Sequence, residues 1–119
     1  MAKTLVMGAS LNPGRYSNMA IRSLRSKNQE VVAHGLQEGN VLDVSIEKDL
    51  IDYKDVKTVT LYLNPLRQEP FYYYIISLKP ERVIFNPGTE NEEFYELLLA
   101  NDIKVEVACT LVMLSTNQY

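Results

Sequence analysis

The chain has 119 residues, of which 46% are hydrophobic, and a formal net charge of −3. This length predicts a single domain over residues 1–119, with its own core and no room for a second domain. The acidic balance argues against a nucleic-acid binder that neutralises phosphates, and no apolar run or leader pattern indicates a membrane span or export. We therefore expect a cytoplasmic protein with no nucleic-acid or membrane partner.

The first predicted strand and the turn after it form the clearest local signal. Residues 3–7 are an apolar run that predicts a buried strand, and a helix is predicted from Asn18 to Lys27. A strand, a turn and a helix in this order offer free backbone N–H groups to a phosphate. Gly8 lacks a Cβ, so a ligand or a helix can approach its backbone closely.

The turn itself carries polar residues that suit an anion. Asn12-Pro13-Gly14 is typical of a turn, and Ser17 is the predicted helix cap. Arg15 could bind a phosphate through its guanidinium. A purely structural turn explains the same residues, since the second glycine of a dinucleotide-binding fingerprint is missing.

Residues 30–34 predict a second buried strand, about one strand-helix-strand unit after the first. An NAD site favours an acidic residue where this strand ends, but the sequence there is His34-Gly35. This counts against NAD. His34 is the only histidine, so it cannot build a metal cluster alone, and a structural role at the strand end is the simpler interpretation.

The middle of the chain is less regular. Residues 41–44 suggest a short extended piece, and residues 45–50 predict a short helix that begins at Ser45. The aspartates of this region lack the spacing of a calcium loop, so we interpret them as solvent-facing. Residues 57–63 then predict the third strand, which ends at Asn64-Pro65.

A tyrosine-rich helix is predicted from Phe71 to Leu78, with Pro70 in its first turn. Three consecutive tyrosines, residues 72–74, cannot all face inward on a helix. At least one ring must be exposed, either as a surface tyrosine or as a contact in a homodimer.

The last third of the chain predicts two more strands, at residues 81–86 and 103–107. Thr89 and Glu92 match a capping box before a helix that runs to about Asn101, which accounts for the nearby glutamates without a catalytic role. Residues 103–107 alternate in polarity and predict a strand near a sheet edge. Cys109 is the only cysteine and is expected to be a buried, inert thiol.

Five strands alternating with helices predict a doubly wound, parallel α/β domain. The sequence also resembles the small stand-alone CoA-binding domain proteins, relatives of the CoA-binding domain of succinyl-CoA synthetase. The resemblance is carried by residues 6–10 with Asn12, Pro13 and Arg15, by Asn64-Pro65, by Gly88 with Glu90-Asn91-Glu92-Glu93, and by Cys109.

The resemblance implies a Rossmann-like fold with sheet order 3-2-1-4-5 and CoA as the ligand. It places the nucleotide phosphates at Gly8, Ala9, Ser10 and Arg15, the adenosine at His34 and Gly35, and the pyrophosphate and pantetheine along Asn64 and Pro65. Two departures from the family pattern stand out. His34-Gly35-Leu36 replaces a frequent Val-Asn-Pro, and Val107-Ala108 replaces an Asp-Arg pair before the cysteine.

Three functions follow from these observations. The first is non-catalytic binding of CoA or acyl-CoA, because no nucleophile with its base and no pair of catalytic carboxylates can be assembled from the sequence. The second is a small NAD(P)-linked reductase. The third is an interaction protein with a vestigial nucleotide pocket.

Overall fold

The computed structural model describes residues 2–119. Its strands are β1 (Lys3–Met7), β2 (Glu30–His34), β3 (Gly39–Val41), β4 (Val44–Glu47), β5 (Val56–Leu61), β6 (Arg82–Phe85) and β7 (Lys104–Val107). Its helices are α1 (Tyr16–Ser26), α2 (Pro65–Gln68), α3 (Tyr72–Ser77), α4 (Glu92–Ala100) and α5 (Thr110–Ser115), and a 3-10 turn covers Glu69–Phe71. All seven strands form one sheet in the order β3-β4-β2-β1-β5-β6-β7.

The prediction of five parallel strands is correct in class and wrong in count. Six strands, in the spatial order β4-β2-β1-β5-β6-β7, run parallel, and β3 pairs antiparallel with β4. The helix predicted at residues 45–50 does not form. Val44 and Ile46 are buried while Ser45 between them is exposed, which is the two-residue period of a strand.

The predicted order 3-2-1-4-5 is also wrong for the five strands as they were predicted. They lie in the order 2-1-3-4-5, because β4 takes the place beside β2 and the chain then crosses to the other side of β1 to form β5. The prediction that residues 103–107 lie near an edge is confirmed, since β7 is the last strand of the sheet.

The sheet separates two hydrophobic clusters. One lies against α3 and α4 and contains Phe85, Phe94 and Ile75, all fully buried. The other lies against α1 and α5 and contains Val6, Ile21 and Leu114. Because both faces of the central strands are covered, residues 4–7 of β1 and 58–61 of β5 are all buried, without the alternation of a sheet that has one exposed face.

Two predicted helix starts differ from the structure. α1 begins at Tyr16 rather than Asn18, because the Arg15 carbonyl accepts the first hydrogen bonds, so Ser17 is not the cap. α4 is capped by Asn91, whose Oδ1 accepts from the Phe94 N–H at 3.3 Å, rather than by Thr89.

The helix predicted from residue 71 to residue 78 is broken. Pro65 starts α2, and Phe71 leaves the helical conformation at φ −108° and ψ 0° before α3 begins. In α3, Tyr72 is buried, Tyr74 donates to the Ile51 carbonyl at 2.6 Å, and Tyr73 is 77% exposed. The expectation that at least one of these rings must be exposed is confirmed.

Candidate phosphate site at the first strand-helix turn

The candidate site lies where the parallel strands end. The carboxyl ends of β1, β2 and β5 share one edge of the sheet, and the loops that follow them touch each other there. These loops, the last residue of β2 and the first residues of α1 and α2 hold every residue that was predicted for the ligand, namely Gly8, Ala9, Ser10, Asn12, Pro13, Arg15, Ser17, His34, Gly35, Asn64 and Pro65. Within residues 2–119, no helix combines the length and apolar character needed to cross a bilayer.

Gly8 is fixed by its neighbours after β5. Its φ is +87°, and a Cβ at this position would lie 3.1 Å from the Tyr62 carbonyl carbon and from the Leu63 side chain. A larger residue would have both a strained backbone and a clash. Gly8 therefore lets the loop after β1 pass against the loop after β5.

The N–H groups of Gly8 and Ala9 are already taken. Both donate to the carbonyl oxygen of His34, at 3.1 and 2.9 Å. The sequence predicted these two residues as phosphate ligands, but in this arrangement their backbone donors attach the first loop to the end of β2 instead.

The middle of the loop holds its own shape. The Ser10 hydroxyl accepts from the Asn12 N–H at 3.1 Å, and the Asn12 side chain accepts from the Gly14 N–H at 2.9 Å. The Asn12 carbonyl accepts from the Arg15 N–H at 3.0 Å, and Pro13 is exposed between these contacts. Ser10 and Asn12 thus stabilise the turn that leads into α1.

Within the first loop and the first turn of α1, residues 8–17, four backbone donors have no protein acceptor. In the part of the chain that the structure describes, the N–H groups of Ser10, Leu11, Tyr16 and Ser17 meet no protein acceptor. The last two lie at the start of an eleven-residue helix, where the helix dipole also favours negative charge. The loop and the helix end together are suited to an anion.

Arg15 adds a full positive charge beside these donors. Its side chain is exposed, and no carboxylate of residues 2–119 forms an ion pair with it. Ser17 is buried at the second position of α1. Its backbone N–H is one of the four donors without a protein acceptor.

His34 and Gly35 have structural explanations. The His34 ring is 7% exposed, its Nε2 lies 3.0 Å from the Lys48 carbonyl oxygen, and its edge packs on Phe71 with ring centroids 5.2 Å apart. A Cβ on Gly35 would lie only 2.4 Å from the Ala9 carbonyl oxygen. Glycine is therefore required where the loops after β1 and β2 cross.

Asn64 and Pro65 begin α2. The Asn64 Oδ1 accepts from the Arg67 N–H at 3.0 Å, which makes Asn64 the helix cap, and Pro65 occupies the first helical position. Both residues are exposed at the same edge as the first loop.

Two buried amides that the sequence did not single out connect the loops of this edge. Gln68, fully buried, donates to the carbonyls of Leu63 and Thr89, both at 2.8 Å. Asn86 donates to the Leu61 carbonyl at 2.8 Å and accepts from the Thr110 N–H at 2.8 Å. These contacts fix the chain after β5 against the chain after β6 and the start of α5.

Cys109 and Tyr62 also lie near the carboxyl ends of the strands. Cys109 is half-buried rather than fully buried as predicted, because it directly precedes α5 as its cap residue. The Tyr62 hydroxyl is buried with no hydrogen-bond partner within residues 2–119, and burial raises the pKa of Tyr62 to about 12. No cluster of three or more metal-ligating side chains occurs in residues 2–119.

A separate cavity of about 420 Å³ lies at the opposite edge, where the strands begin. It carries four cationic side chains, but each has a glutamate partner within 3.7 Å. The pairs are Lys3–Glu30, Lys57–Glu81, Arg82–Glu106 and Lys104–Glu106. Because three glutamates, one of them shared, compensate most of this positive charge, the cavity is a weaker anion site than the first loop.

Comparison with solved structures shows the same fold in several other proteins. An uncharacterised protein is 47% identical with a TM-score of 0.96, over 100% of this chain and 98% of that one. A Thermus thermophilus protein is 21% identical with a TM-score of 0.86, over 99% and 90% of the two chains. An oxidoreductase from Bacillus cereus is 18% identical with a TM-score of 0.61, and the match covers 89% of this chain but 34% of the enzyme.

The comparison with curated proteins finds no match. The comparison with family models gives one family, described as CoA binding domain, and its model matches residues 2–115. This match includes β1, the loop after it, α1 and every strand of the sheet. The chain therefore belongs to the CoA binding domain family.

Proposed function

We propose that this chain is a Rossmann-like, non-catalytic module that binds CoA or an acyl-CoA, with the nucleotide phosphates held at the loop between β1 and α1. The observation that carries the proposal is the set of backbone donors without acceptors at Ser10, Leu11, Tyr16 and Ser17. They flank Arg15, which has no carboxylate partner among residues 2–119. Donors and a positive charge at a helix N-terminus suit a phosphate.

The other predicted site residues then act mainly by shaping this loop. Gly8, Ala9, His34 and Gly35 hold the first loop against the end of β2 through two hydrogen bonds and one close backbone approach. Asn64 and Pro65, which open α2, flank the same edge. We propose that the pantetheine arm passes along this side.

Two features support a binding role rather than catalysis. The only histidine is tied to a backbone carbonyl and packed against Phe71, so it is poorly placed to serve as a general base for Cys109 or another nucleophile. The carboxylates near α4 have structural explanations, since Glu90 accepts from the Gly88 N–H at 2.8 Å in the loop before the helix and Glu92 lies in the first helical turn.

The experiment is a thermal-shift screen with CoA, acetyl-CoA, NAD, NADP and ATP. A ligand that binds only the native state raises the melting temperature, so CoA or acetyl-CoA should raise it more than NAD does. A shift with NAD or NADP and none with CoA would favour the reductase alternative. The likeness to the Bacillus cereus oxidoreductase supports a shared fold and carries no further weight.

A homodimer through the tyrosine-rich segment stays a prediction. Tyr73 is the one strongly exposed ring of the three tyrosines, and it borders a groove lined by Glu69, Glu93 and Glu96. A twofold contact centred here would bring like charges together, which opposes association. Light scattering at high protein concentration decides between a monomer and a dimer.

A further inference from the structure

One buried side chain connects the first loop to a second arginine. Asn18 lies in α1 and is 0% exposed. Its Nδ2 donates to the Ser10 carbonyl at 2.9 Å, and its Oδ1 accepts from Arg22 Nε at 2.8 Å. A single amide group therefore joins the loop after β1 to the Arg22 guanidinium.

This contact fixes where the charge of Arg22 lies. Helical side chains lean toward the helix N-terminus, and residues four apart share a face. The bond from Arg22 to Asn18 therefore holds the guanidinium toward the end of α1 that adjoins the loop. The Nη1 and Nη2 groups of Arg22 meet no acceptor among residues 2–119 and remain able to bind an anion.

The other arginine in the second half of α1 behaves differently. Arg25 is held through Nε and Nη2 by the Asp43 carboxylate, at 2.9 and 2.7 Å, and through Nη1 by the Gln29 carbonyl. Its guanidinium is thus bound on all three nitrogens and stabilises the tip of the β3–β4 hairpin. Arg22 differs because only its Nε is bound.

We propose that Arg22 is a second phosphate-binding residue of this site and that Asn18 is the residue that positions it. The inference rests on the proposed function and names the part of the ligand involved, a phosphate group of the nucleotide. The loop contains no carboxylate from Gly8 to Arg15 that would compete for the guanidinium.

The role of Arg22 is tested by isothermal titration calorimetry with CoA on the wild type, Arg22→Ala, Arg22→Lys and Lys27→Ala. Arg22→Ala should weaken CoA binding by about ten- to a hundredfold, and Arg22→Lys should recover part of the loss, because lysine keeps the charge without the planar fork. Lys27→Ala removes the same charge from the far end of α1 and should leave the affinity unchanged.

The same titrations with dephospho-CoA identify the phosphate. If the Arg22→Ala loss persists with dephospho-CoA, the contact is with the diphosphate; if it vanishes, the contact is with the 3′-phosphate. If the wild type binds CoA and Arg22→Ala binds it with the same affinity, the role of Arg22 is refuted and the proposed function stands. Wild type that fails to bind CoA refutes the proposed function and this inference with it.

A double-mutant cycle tests the positioning role of Asn18. In an Asn18→Ala background, Arg22→Ala should cost less CoA affinity than it does in the wild type, because the guanidinium is no longer held. Asn18→Ser is the second background if Asn18→Ala does not fold. An equal cost of Arg22→Ala in both backgrounds would show that Asn18 has a purely structural role.

Discussion

The close approach of Gly35 to the first loop gives a sharp stability prediction. A Cβ on Gly35 would lie 2.4 Å from the Ala9 carbonyl oxygen and 3.0 Å from Ile46 Cγ2, so Gly35→Ala must push the first loop away from β2 or displace β2 itself. Overpacking of this kind costs about 1–3 kcal/mol. Moving the loop instead breaks the two hydrogen bonds from Gly8 and Ala9 to His34, which contribute about 0.5–1.5 kcal/mol each.

Both routes lead to a loss of about 2 kcal/mol in the free energy of unfolding. With a urea m-value of about 1.5 kcal/mol/M, the unfolding midpoint of Gly35→Ala should fall by roughly 1.3 M. Gly14→Ala is the control, because a Cβ there meets only the exposed Asn12 side chain, at 3.3 Å, and should change the midpoint little. A Gly35→Ala midpoint equal to that of the wild type would refute the described contact between the two loops.

Four further predictions use other residues. Arg15→Ala should weaken CoA binding by about ten- to a hundredfold in calorimetry while leaving the melting temperature nearly unchanged, since an exposed arginine adds little stability. Leu42 has φ +54° and is 56% exposed, so Leu42→Asn should stabilise the fold by about 0.5–1 kcal/mol in urea titrations; destabilisation would contradict this. Tyr62→Phe removes a buried hydroxyl without a partner and should be neutral or stabilising, whereas a loss above about 1 kcal/mol would reveal a missed hydrogen bond. The Arg25 guanidinium lowers the pKa of Asp43 below its ordinary 3.8. The pair therefore stabilises the fold above pH 3.8, and this stabilisation is lost as the pH falls through the lowered pKa of Asp43. In Asp43→Asn, the melting temperature should depend less on pH below 3.8 than it does in the wild type.

Apolar runs were sufficient to predict the central strands. Residues 4–7 and 83–85 are buried without interruption, and the mostly apolar runs that contain them mark these strands in the sequence. The β3–β4 hairpin was missed because Ser45 resembles a helix cap, although Val44, Ser45 and Ile46 already alternate as a strand does. Because β4 was missed, the order 3-2-1-4-5 that the resemblance implies was assigned to the wrong strands.

The structure brings the predicted site residues to one edge of the sheet, but it gives the N–H groups of two of them a protein acceptor. Sequence locates Gly8 and Ala9 at the end of a strand, yet the acceptor for both N–H groups is the carbonyl of His34, a tertiary contact that no local pattern contains. For the same reason, the sequence alone indicates no role for Arg22. Its orientation depends on Asn18, which bonds to a loop eight residues earlier.

The most direct test of CoA binding at the first loop is the amide NMR spectrum of ¹⁵N-labelled protein titrated with CoA. If CoA binds at the loop between β1 and α1, the amides of Ser10, Leu11, Tyr16 and Ser17 should shift most, because their N–H groups have no protein acceptor. The amides around Thr58 and Arg82, at the opposite edge of the sheet, should stay in place. If the largest shifts occur at that opposite edge, or if no amide shifts at saturating CoA, the proposed binding of CoA at the first loop is wrong.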